Sequence, residues 1–388
     1  MSASVQSHGY VNDEKLTKDM NSTLIIGTDL NYKHEVVWKN AIGFLFLHLL
    51  GLWGIFLMLT GAVQLKTILY GFIVLYTYSE GITIGAHRLY THRCFKATPL
   101  LRAILILLQT GAGQNSMFIW CRDHRLHHRY SDTDADPHNA KRGFFFSHIG
   151  WLMTKKHPYV IELGKKIDMS DLKADWMVML QKKYYYYLYF FIAVLLPVWA
   201  AVHFLGEPWL EAFLVVYCAR YILQLNGTWL VNSAAHIYGT RPYDKNLQPV
   251  ESWFVSFISL GEGWHNYHHT FPWDYKAAEL STHFNASAQI IEFLASIGMA
   301  YDLKTATPDM VKSRIKRTGD GTHNELGNEE SRNAVKVSYV PFHPLNPSYT
   351  VTYEDPPASL KVEGLPLYHE NDIFDCGNVT ITKNIGSN

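Results

Sequence analysis

The sequence predicts an all-α integral membrane protein, with four transmembrane helices in two hairpins and a helical cap on the cytosolic side. Three observations lead to this prediction: four long apolar blocks, an uneven distribution of lysine and arginine, and three histidine clusters beyond the ends of the blocks. The 388 residues carry no net formal charge, although 48% of them are hydrophobic. With no excess of basic residues, we expect no nucleic-acid partner.

The four apolar blocks are each about as long as a helix that crosses the hydrocarbon core, which takes roughly 20 residues. We predict spans at about residues 41–60, 65–87, 186–205 and 209–233. A shorter apolar stretch, Pro99–Ala112, contains Arg102 and is predicted to be an interfacial or re-entrant helix. The first forty residues are polar, so we expect the first span, and not a cleavable signal peptide, to direct membrane insertion.

The basic residues predict the orientation of the chain. The turns at 61–64 and 206–208 hold no lysine or arginine, whereas residues 88–184 hold sixteen. By the positive-inside rule this middle stretch is cytosolic, so both termini and all three histidine clusters are expected there too. We divide the chain into a cytosolic segment (1–36), a main domain (37–317) and a C-terminal tail (318–388) whose polar composition predicts disorder.

Eight histidines form one His-x-x-x-x-His pattern and two His-x-x-His-His patterns. They are His87 and His92, then His124, His127 and His128, then His265, His268 and His269. On a helix, His-x-x-His-His places its three imidazoles on one face. Eight imidazoles exceed the four ligands of a single structural zinc, so we predict two metal ions. All-nitrogen ligation suits iron, copper, zinc or nickel, and iron with open positions suits oxygen chemistry.

Around these histidines the chain resembles the membrane acyl-CoA desaturases of animals, and among them the fatty acyl-CoA desaturases of insects, which are of the stearoyl-CoA desaturase type. The resemblance covers about residues 30–320. It rests on GAHRLYTH (85–92), RDHRLHHRYSDTDADPHNAKRGFFFSHIGW (122–151), NSAAHIYGTRPYD (232–244) and GEGWHNYHHTFPWDY (261–275).

The resemblance implies an endoplasmic reticulum enzyme that uses O2 to remove two hydrogens from adjacent methylenes of a long-chain fatty acyl-CoA. The product has a cis double bond. The favoured reaction is delta-9 desaturation of palmitoyl- or stearoyl-CoA. A delta-11 or bifunctional pheromone-type desaturase is the alternative, and a di-iron fatty acid hydroxylase is a less favoured one. Because the chain has no cytochrome b5 haem motif and no nucleotide-binding motif, a separate cytochrome b5 with its reductase is the expected electron donor.

The resemblance also implies the residues of the site. His236 joins the eight patterned histidines as a ninth ligand of two iron ions, and Asn232 holds a metal-bound water; the division of the ligands between the two irons stays open. Substrate contacts are implied for Asn40, Asn115, Arg122, Asp123, Lys155, Lys156, Thr228 and Trp229. Carboxylates usually orient ligating histidines. The candidates for that role are Asp123, Asp134, Asp136 and Glu262.

Helix geometry places the closed end of an acyl tunnel in the second span. Steps of four residues back from His87 reach Thr83, Ser79 and Leu75, which an α-helix would place on one stripe. We expect the size of these side chains to set the preferred chain length. A metal transporter is a further alternative from another class, but its ligands should lie near the bilayer midplane and not beyond the ends of the spans.

Overall fold

The computed structural model describes residues 26–279 and 285–323. Residues 1–25 of the predicted N-terminal segment and 324–388 of the predicted tail lie outside the described residues. The described part is mostly helical, as predicted. Its two short strands, β1 (Lys96–Ala97) and β2 (Ala300–Tyr301), pair in antiparallel register.

The first half of the chain begins with two long helices, α1 (Trp38–Leu59) and α2 (Leu65–Glu80), and α2 continues directly into a π-helix, π1 (Gly81–Thr91). After β1, shorter helices build the cap: α3 (Pro99–Ala112), α4 (Met117–Arg129), α5 (Phe144–His148), α6 (Pro158–Gly164) and α7 (Ser170–Ala174). Single 3-10 turns lie at Ala140–Arg142 and Gly150–Leu152.

The second half contains two further long helical rods. One runs through α8 (Trp176–Tyr189), π2 (Phe190–Leu195) and α9 (Leu196–Leu205). The other runs through α10 (Trp209–Ala212), π3 (Phe213–Ala219) and α11 (Arg220–Asn232). The remaining helices are α12 (Ala234–Ile237), α13 (Trp253–Ile258), α14 (His265–Thr270), α15 (Ala286–Ser296) and α16 (Pro308–Thr318).

Helix α3 shows how local sequence sets the bounds of these elements. The Thr98 hydroxyl accepts a hydrogen bond from the Leu101 amide at 3.4 Å, which caps the first turn, and Pro99 fits the first helical position because it lacks an N–H. Gly113 ends the helix with a positive φ of 72°, which glycine adopts without strain. One face of α3, with Leu101 and Leu105, packs in the main hydrophobic core.

Three of the helical rods in the described part are long and apolar enough to cross a membrane: Trp38–Leu59, Leu65–Thr91 and Trp176–Leu205. The predicted third span therefore begins about ten residues earlier than expected. The rod at 209–232 is a continuous helix, but it is not among the three. It contains Arg220, Gln224 and Asn226, which lower its hydropathy.

The two turns that were predicted within the hairpins lie against each other. The buried carboxylate of Glu207 accepts hydrogen bonds from the Thr67 hydroxyl (2.6 Å) and the Gln64 amide (3.2 Å). The Gln64 side chain also donates to the Gly206 carbonyl at 3.2 Å. These contacts fix the start of α2 beside the end of α9.

Arg220 joins three elements inside the helical bundle. It is 2% exposed, and its guanidinium donates to the Gly111 carbonyl in α3 (3.3 Å), the Ala193 carbonyl in π2 (3.0 Å) and the Gln224 side chain (2.9 Å). A buried charge is costly unless it is paired or fully hydrogen-bonded. The carbonyl groups at the end of α3 and in π2 therefore receive donors, and the charge of Arg220 is accommodated.

Gly81, the first residue of π1, lies directly against the backbone of α3. A β-carbon at this position would lie 2.2 Å from the Gln109 amide nitrogen and 2.4 Å from the Leu108 carbonyl carbon, both of which belong to the backbone. Backbone atoms of a packed helix cannot move aside as a flexible side chain could. The position therefore requires glycine for packing.

We expect Gly81→Ala to destabilise the protein by about 1–3 kcal/mol or more, because it overpacks this contact. Gly43→Ala is the matched control, since a β-carbon at Gly43 in α1 has no neighbour within 4 Å. The measurement is the apparent melting temperature in detergent, followed by size-exclusion chromatography. It should fall by several degrees for Gly81→Ala and should not fall for Gly43→Ala; equal temperatures for both variants would contradict this account of the packing.

Candidate metal centre

The first histidine pair depends on the π-helical geometry of π1. In this helix hydrogen bonds run between residues five apart, as from the His92 amide to the His87 carbonyl (3.1 Å). Residues at i and i+5 are then neighbours on one face. The spacing His-x-x-x-x-His, which would diverge on an α-helix, brings both imidazoles to the same place, with ring centroids 5.0 Å apart.

The two His-x-x-His-His triplets lie on α4 and α14, and His236 lies on α12. All nine imidazoles come together in two adjacent groups, and within each group the ligand nitrogens lie within 4.8 Å of one another. The five-imidazole group consists of His87, His92, His124, His128 and His268. The four-imidazole group consists of His127, His236, His265 and His269.

The triplets exchange members between the groups. In α4 the i, i+4 pair belongs to the five-imidazole group and the middle histidine, His127, belongs to the other group. In α14 the arrangement is reversed: the i, i+4 pair belongs to the four-imidazole group and His268 crosses over. The residues at i+3 and i+4 both lie on the helical face of residue i, but on opposite sides of it, so their side chains diverge. Two facing triplets can therefore complete two adjacent centres.

The distances between nitrogens fit a coordination shell. Nε2 of His268 lies 2.9 Å from Nε2 of His87 and 3.0 Å from Nε2 of His128. In the other group, Nε2 of His269 lies 3.3 Å from His127 and 3.2 Å from His265. With metal–nitrogen bonds of about 2.0–2.1 Å, the nitrogens around one metal ion lie roughly 2.9–3.4 Å apart. Both groups have the donor type and spacing for a transition metal.

Buried nitrogens without partners support the same interpretation. Among the described residues, Nε2 of His92 and Nε2 of His124 are buried and have no hydrogen-bond partner. A buried polar atom left in this way is costly. Both atoms belong to the five-imidazole group, where a metal ion would satisfy them.

Three carboxylates hold imidazoles by the nitrogen that faces away from the group. Nδ1 of His87 lies 2.7 Å from Glu262, Nδ1 of His127 lies 2.8 Å from Asp136, and Nδ1 of His236 lies 2.9 Å from Asp132. When Nδ1–H is donated to a carboxylate, Nε2 carries the lone pair that a metal binds. These contacts therefore fix both the ring orientation and the tautomer.

The environment keeps most of these imidazoles neutral. Burial, followed by repulsion between neighbouring imidazoles, lowers the pKa of six of them well below the usual value. The six are His92, His124, His128, His265, His268 and His269. Burial also acts against the charged form of His127, but the charge and hydrogen bond of Asp136 outweigh it and raise the pKa of His127. Neutral imidazole is the form that ligates metal.

The four carboxylates proposed from sequence divide into two pairs. Asp136 and Glu262 contact ligand-type histidines, as expected. Asp123 and Asp134 do not: Asp123 pairs with Arg122 and Lys156, and Asp134 pairs with Arg142. For these two the prediction was wrong, because basic side chains are nearer to them than any of the nine imidazoles.

Two residues near the centre were not identified from sequence. Asp132 binds His236, which is 104 residues away along the chain, and no local pattern indicates that contact. His138 packs against His127 with ring centroids 4.4 Å apart, and with His127 and Asp136 it forms a third potential ligand group. The alternating aspartates of residues 132–136, directly after the α4 histidines, are the sequence feature that could have predicted a role for Asp132.

Some of the residues implied as CoA contacts form a charged network beside α4. Asp123 accepts from Arg122 (2.7 Å) and Lys156 (2.6 Å). Lys155 points elsewhere and pairs with Glu35 at 2.8 Å. Asn40, at the start of α1, donates to the Leu152 carbonyl at 2.9 Å.

The other implied substrate residues lie between the cap and the helical rods. Asn115 adopts a positive φ of 70° in the turn before α4. The Thr228 hydroxyl accepts a hydrogen bond from Gln114 at 2.8 Å, and Trp229 is buried with its ring stacked on His48. Asn232 is the last residue of α11, partly buried, and lies four residues before His236.

The three positions assigned to the tunnel end do not form a single stripe. Leu75 lines a small open pocket between the long helices, opposite Val215 and Leu223. Ser79 faces α11, where its hydroxyl accepts a hydrogen bond from Gln224 at 3.4 Å. Thr83 lies in π1, and its hydroxyl instead donates to Glu80 at 2.8 Å, close to Ser287. The change from α- to π-helix at Gly81 turns Thr83 away from the other two.

Comparison with known proteins shows the family to which this chain belongs. Residues 65–289, more than half of the chain, match the model of the fatty acid desaturase family. An acyl-CoA Delta-9 desaturase of Acheta domesticus is 51% identical over 297 residues, which cover 76% of this chain and 82% of the relative. An acyl-CoA Delta(11) desaturase of Spodoptera littoralis is 48% identical over 302 residues, which cover 78% and 89%.

A vertebrate relative gives the same result. A stearoyl-CoA desaturase of Mesocricetus auratus is 49% identical over 290 residues, which cover 75% of this chain and 81% of the relative. The residues that match the family model include the histidines on π1, α4, α12 and α14. The chain belongs to the fatty acid desaturase family and is an oxidoreductase of that family.

Proposed function

We propose that the protein desaturates a long-chain fatty acyl-CoA. One O2, two electrons and two protons are consumed with two hydrogens from adjacent methylenes, and the products are a cis double bond and two waters. The observation that carries this proposal is the convergence of nine imidazoles into two adjacent groups with coordination-shell spacing. No side chain is basic enough to take a proton from the middle of an alkyl chain, so an oxidising metal–oxygen centre is required.

Two iron ions are the proposed metals, one in each imidazole group. Iron at these positions would supply the activation of O2. The protein would supply the nitrogen ligands and the carboxylates that orient them through Nδ1. Asn232 is proposed to hold a metal-bound water; it is the partly buried last residue of α11 and lies four residues before His236 in the chain.

The substrate is proposed to lie with its CoA head on the cytosolic surface and its acyl chain between the helical rods. The network of Arg122, Asp123 and Lys156 offers charged groups to a polyanionic head. Lys155, Asn40 and Asn115 are proposed as further substrate contacts; in the structure Lys155 pairs with Glu35 and Asn40 donates to the Leu152 carbonyl. Thr228 and Trp229 would line the acyl chain beyond the surface that binds the CoA head, and the buried indole of Trp229 supplies an apolar wall.

The membrane arrangement is proposed to comprise four spans in two hairpins in the endoplasmic reticulum membrane. The rod at 209–232 would be the fourth span. The contacts of Glu207 with Gln64 and Thr67 support the hairpins, because they place both loops on one side. Both termini and the metal centre would then be cytosolic, with the desaturase domain at 37–317 and residues 318–388 as its tail.

Delta-9 desaturation of palmitoyl- or stearoyl-CoA is the proposed reaction, and cytochrome b5 with its reductase is the proposed electron source. One of the relatives above is named a Delta-9 desaturase, and another a Delta(11) desaturase. The position of the double bond depends on how far the acyl chain enters, which small changes of shape can alter.

The proposed ligation predicts the iron content of the purified protein. Wild-type protein should hold two irons per chain by plasma mass spectrometry. His268→Ala should lose at least one of them, because His268 contacts both His87 and His128. His203→Ala is the matched control, since His203 is exposed at the end of α9 and stacks on Trp199. Full iron content in His268→Ala would contradict the proposed ligand set.

The activity is tested in desaturase-deficient yeast that expresses the chain, by gas chromatography and mass spectrometry of derivatised fatty acids. We expect new delta-9 monoenes, and none from His127→Ala expressed at the same level. Delta-11 products would replace the proposed position by the alternative one. Hydroxylated acids, or no new lipid despite membrane expression, would contradict desaturation.

Chain length should depend on Ser79. Ser79→Phe is expected to lower the ratio of C18 to C16 products several-fold, because the larger ring would fill space between α2 and α11. Thr77→Phe is the control, since Thr77 is exposed on α2. The measurement is the product ratio in the same yeast strain, and an unchanged ratio for Ser79→Phe would contradict the assigned tunnel end.

A further inference from the structure

The charges outside the two imidazole groups are unequal. One carboxylate, Glu262, contacts the five-imidazole group through His87. Two carboxylates, Asp132 and Asp136, contact the four-imidazole group through His236 and His127. All three carboxylates are buried, with exposed fractions of 8% or less, so water screens their negative charges only weakly.

The single carboxylate of the five-imidazole group is balanced by a cation. Arg88 is fully buried, and its guanidinium lies 2.9 Å from the Glu262 oxygen that does not face His87. Its other polar neighbours are farther away, at 3.5 Å from the Asn285 side chain and from the Lys276 carbonyl. Glu262 and Arg88 together therefore carry almost no net charge.

The two carboxylates of the four-imidazole group have no such balance. Besides the imidazoles, Asp132 accepts from the Ala140 amide (2.9 Å) and the Ser131 hydroxyl (3.2 Å), and Asp136 accepts from the amides of Asp132 (2.8 Å) and His138 (3.1 Å). Neither forms an ion pair with an arginine or lysine of residues 26–279 and 285–323. Arg142 is nearby in sequence but pairs with Asp134 at 2.6 Å.

A carboxylate that accepts Nδ1–H makes the imidazole a stronger electron donor, and this favours the higher oxidation state of a bound metal. We propose that the two metal positions are electronically unequal. Asp132 and Asp136 make the four-imidazole position the more easily oxidised one, and the Arg88–Glu262 pair leaves the five-imidazole position the more easily reduced one. These four side chains are positioning residues, since each acts through a histidine or through its neighbour.

This inference rests on the proposed function, because it assumes two irons at these positions. It adds to that function the order in which the two metal positions are reduced. A donor that delivers one electron at a time would have a defined first position, the five-imidazole group, and a defined second one.

The test uses the full-length protein in detergent, loaded with Mössbauer-active iron and reduced stepwise against redox mediators. We expect two iron signals that are reduced in two separate steps. Asp136→Asn should move only the lower-potential step, toward higher potential. Arg88→Gln should move only the higher-potential step, toward lower potential, and Arg88→Lys should restore it because the charge returns. Asp134→Asn is the control, a buried carboxylate of the same loop that pairs with Arg142, and it should move neither step.

The outcomes separate the inference from the function on which it rests. Fewer than two irons in wild-type protein would overturn the proposed function, and the inference with it. Two irons reduced in a single step, or Asp136→Asn and Arg88→Gln acting on the same step, would overturn the inference alone. Asp132→Asn can replace Asp136→Asn if that variant does not fold. Glu262→Gln can replace Arg88→Gln, and it should raise the higher-potential step because it leaves the Arg88 charge unbalanced.

Discussion

The contact between imidazole nitrogens is the constraint on which the rest of the structure depends. Nε2 atoms of neighbouring histidines are held 2.9–3.3 Å apart, each with its lone pair directed at a shared point. Such lone pairs repel one another unless a cation lies between them, so the scaffold must hold the rings in place. The carboxylates at Nδ1 fix the outer edge of three rings, and burial lowers the pKa of the other six and so keeps them neutral. Helix packing holds rings that have no carboxylate partner. His124 is an example, because Trp120 stacks on its ring with ring centroids 4.8 Å apart.

The π-helix π1 is the local structure that this constraint selects. A π-helix is rare because its hydrogen bonds and packing are less favourable than those of an α-helix, and it often marks a functional site. Here it places His87 and His92, five residues apart, on one face. The same segment carries Arg88 toward Glu262, so that a ligand-type histidine and the cation beside its carboxylate come from adjacent positions. Tight packing supports the segment, since Gly81 at its start lies directly against the backbone of α3 and every residue of Gly81–Thr91 is buried.

The parts of the site that could be predicted from sequence are the local ones. The placement of each triplet on one helical face follows from helix geometry, and the expectation of two metals follows from the number of imidazoles. The division into five and four imidazoles stayed open from sequence, because it depends on how the two helices face each other. In the structure His127 and His268, the i+3 members, lie in the opposite group from the rest of their triplets. Contacts between residues far apart in the sequence could not be predicted from local patterns. Asp132 meets His236 across 104 residues, and His236 itself was identified only through resemblance to a family. The break in the Leu75, Ser79, Thr83 stripe was hidden because sequence spacing assumed an α-helix where the chain forms a π-helix.

The rod at 209–232 shows why hydropathy understates a helix that lines the interior of a membrane protein. Its polar residues face inward: Arg220 binds carbonyls of α3 and π2, Gln224 meets Ser79, and Asn226 donates to His48 at 3.2 Å. Polar side chains within a membrane are tolerated when they face other helices and find partners there. A helix that must anchor its neighbours therefore loses apolar character on that face, and its mean hydropathy falls. The rods that show clear hydropathy signals are α1, which presents most of its surface outward, and the α8–α9 rod, whose Tyr186, Phe190 and Trp199 are exposed. The weakest hydropathy signal thus belongs to the rod that continues into α12 and brings His236 to the metal centre.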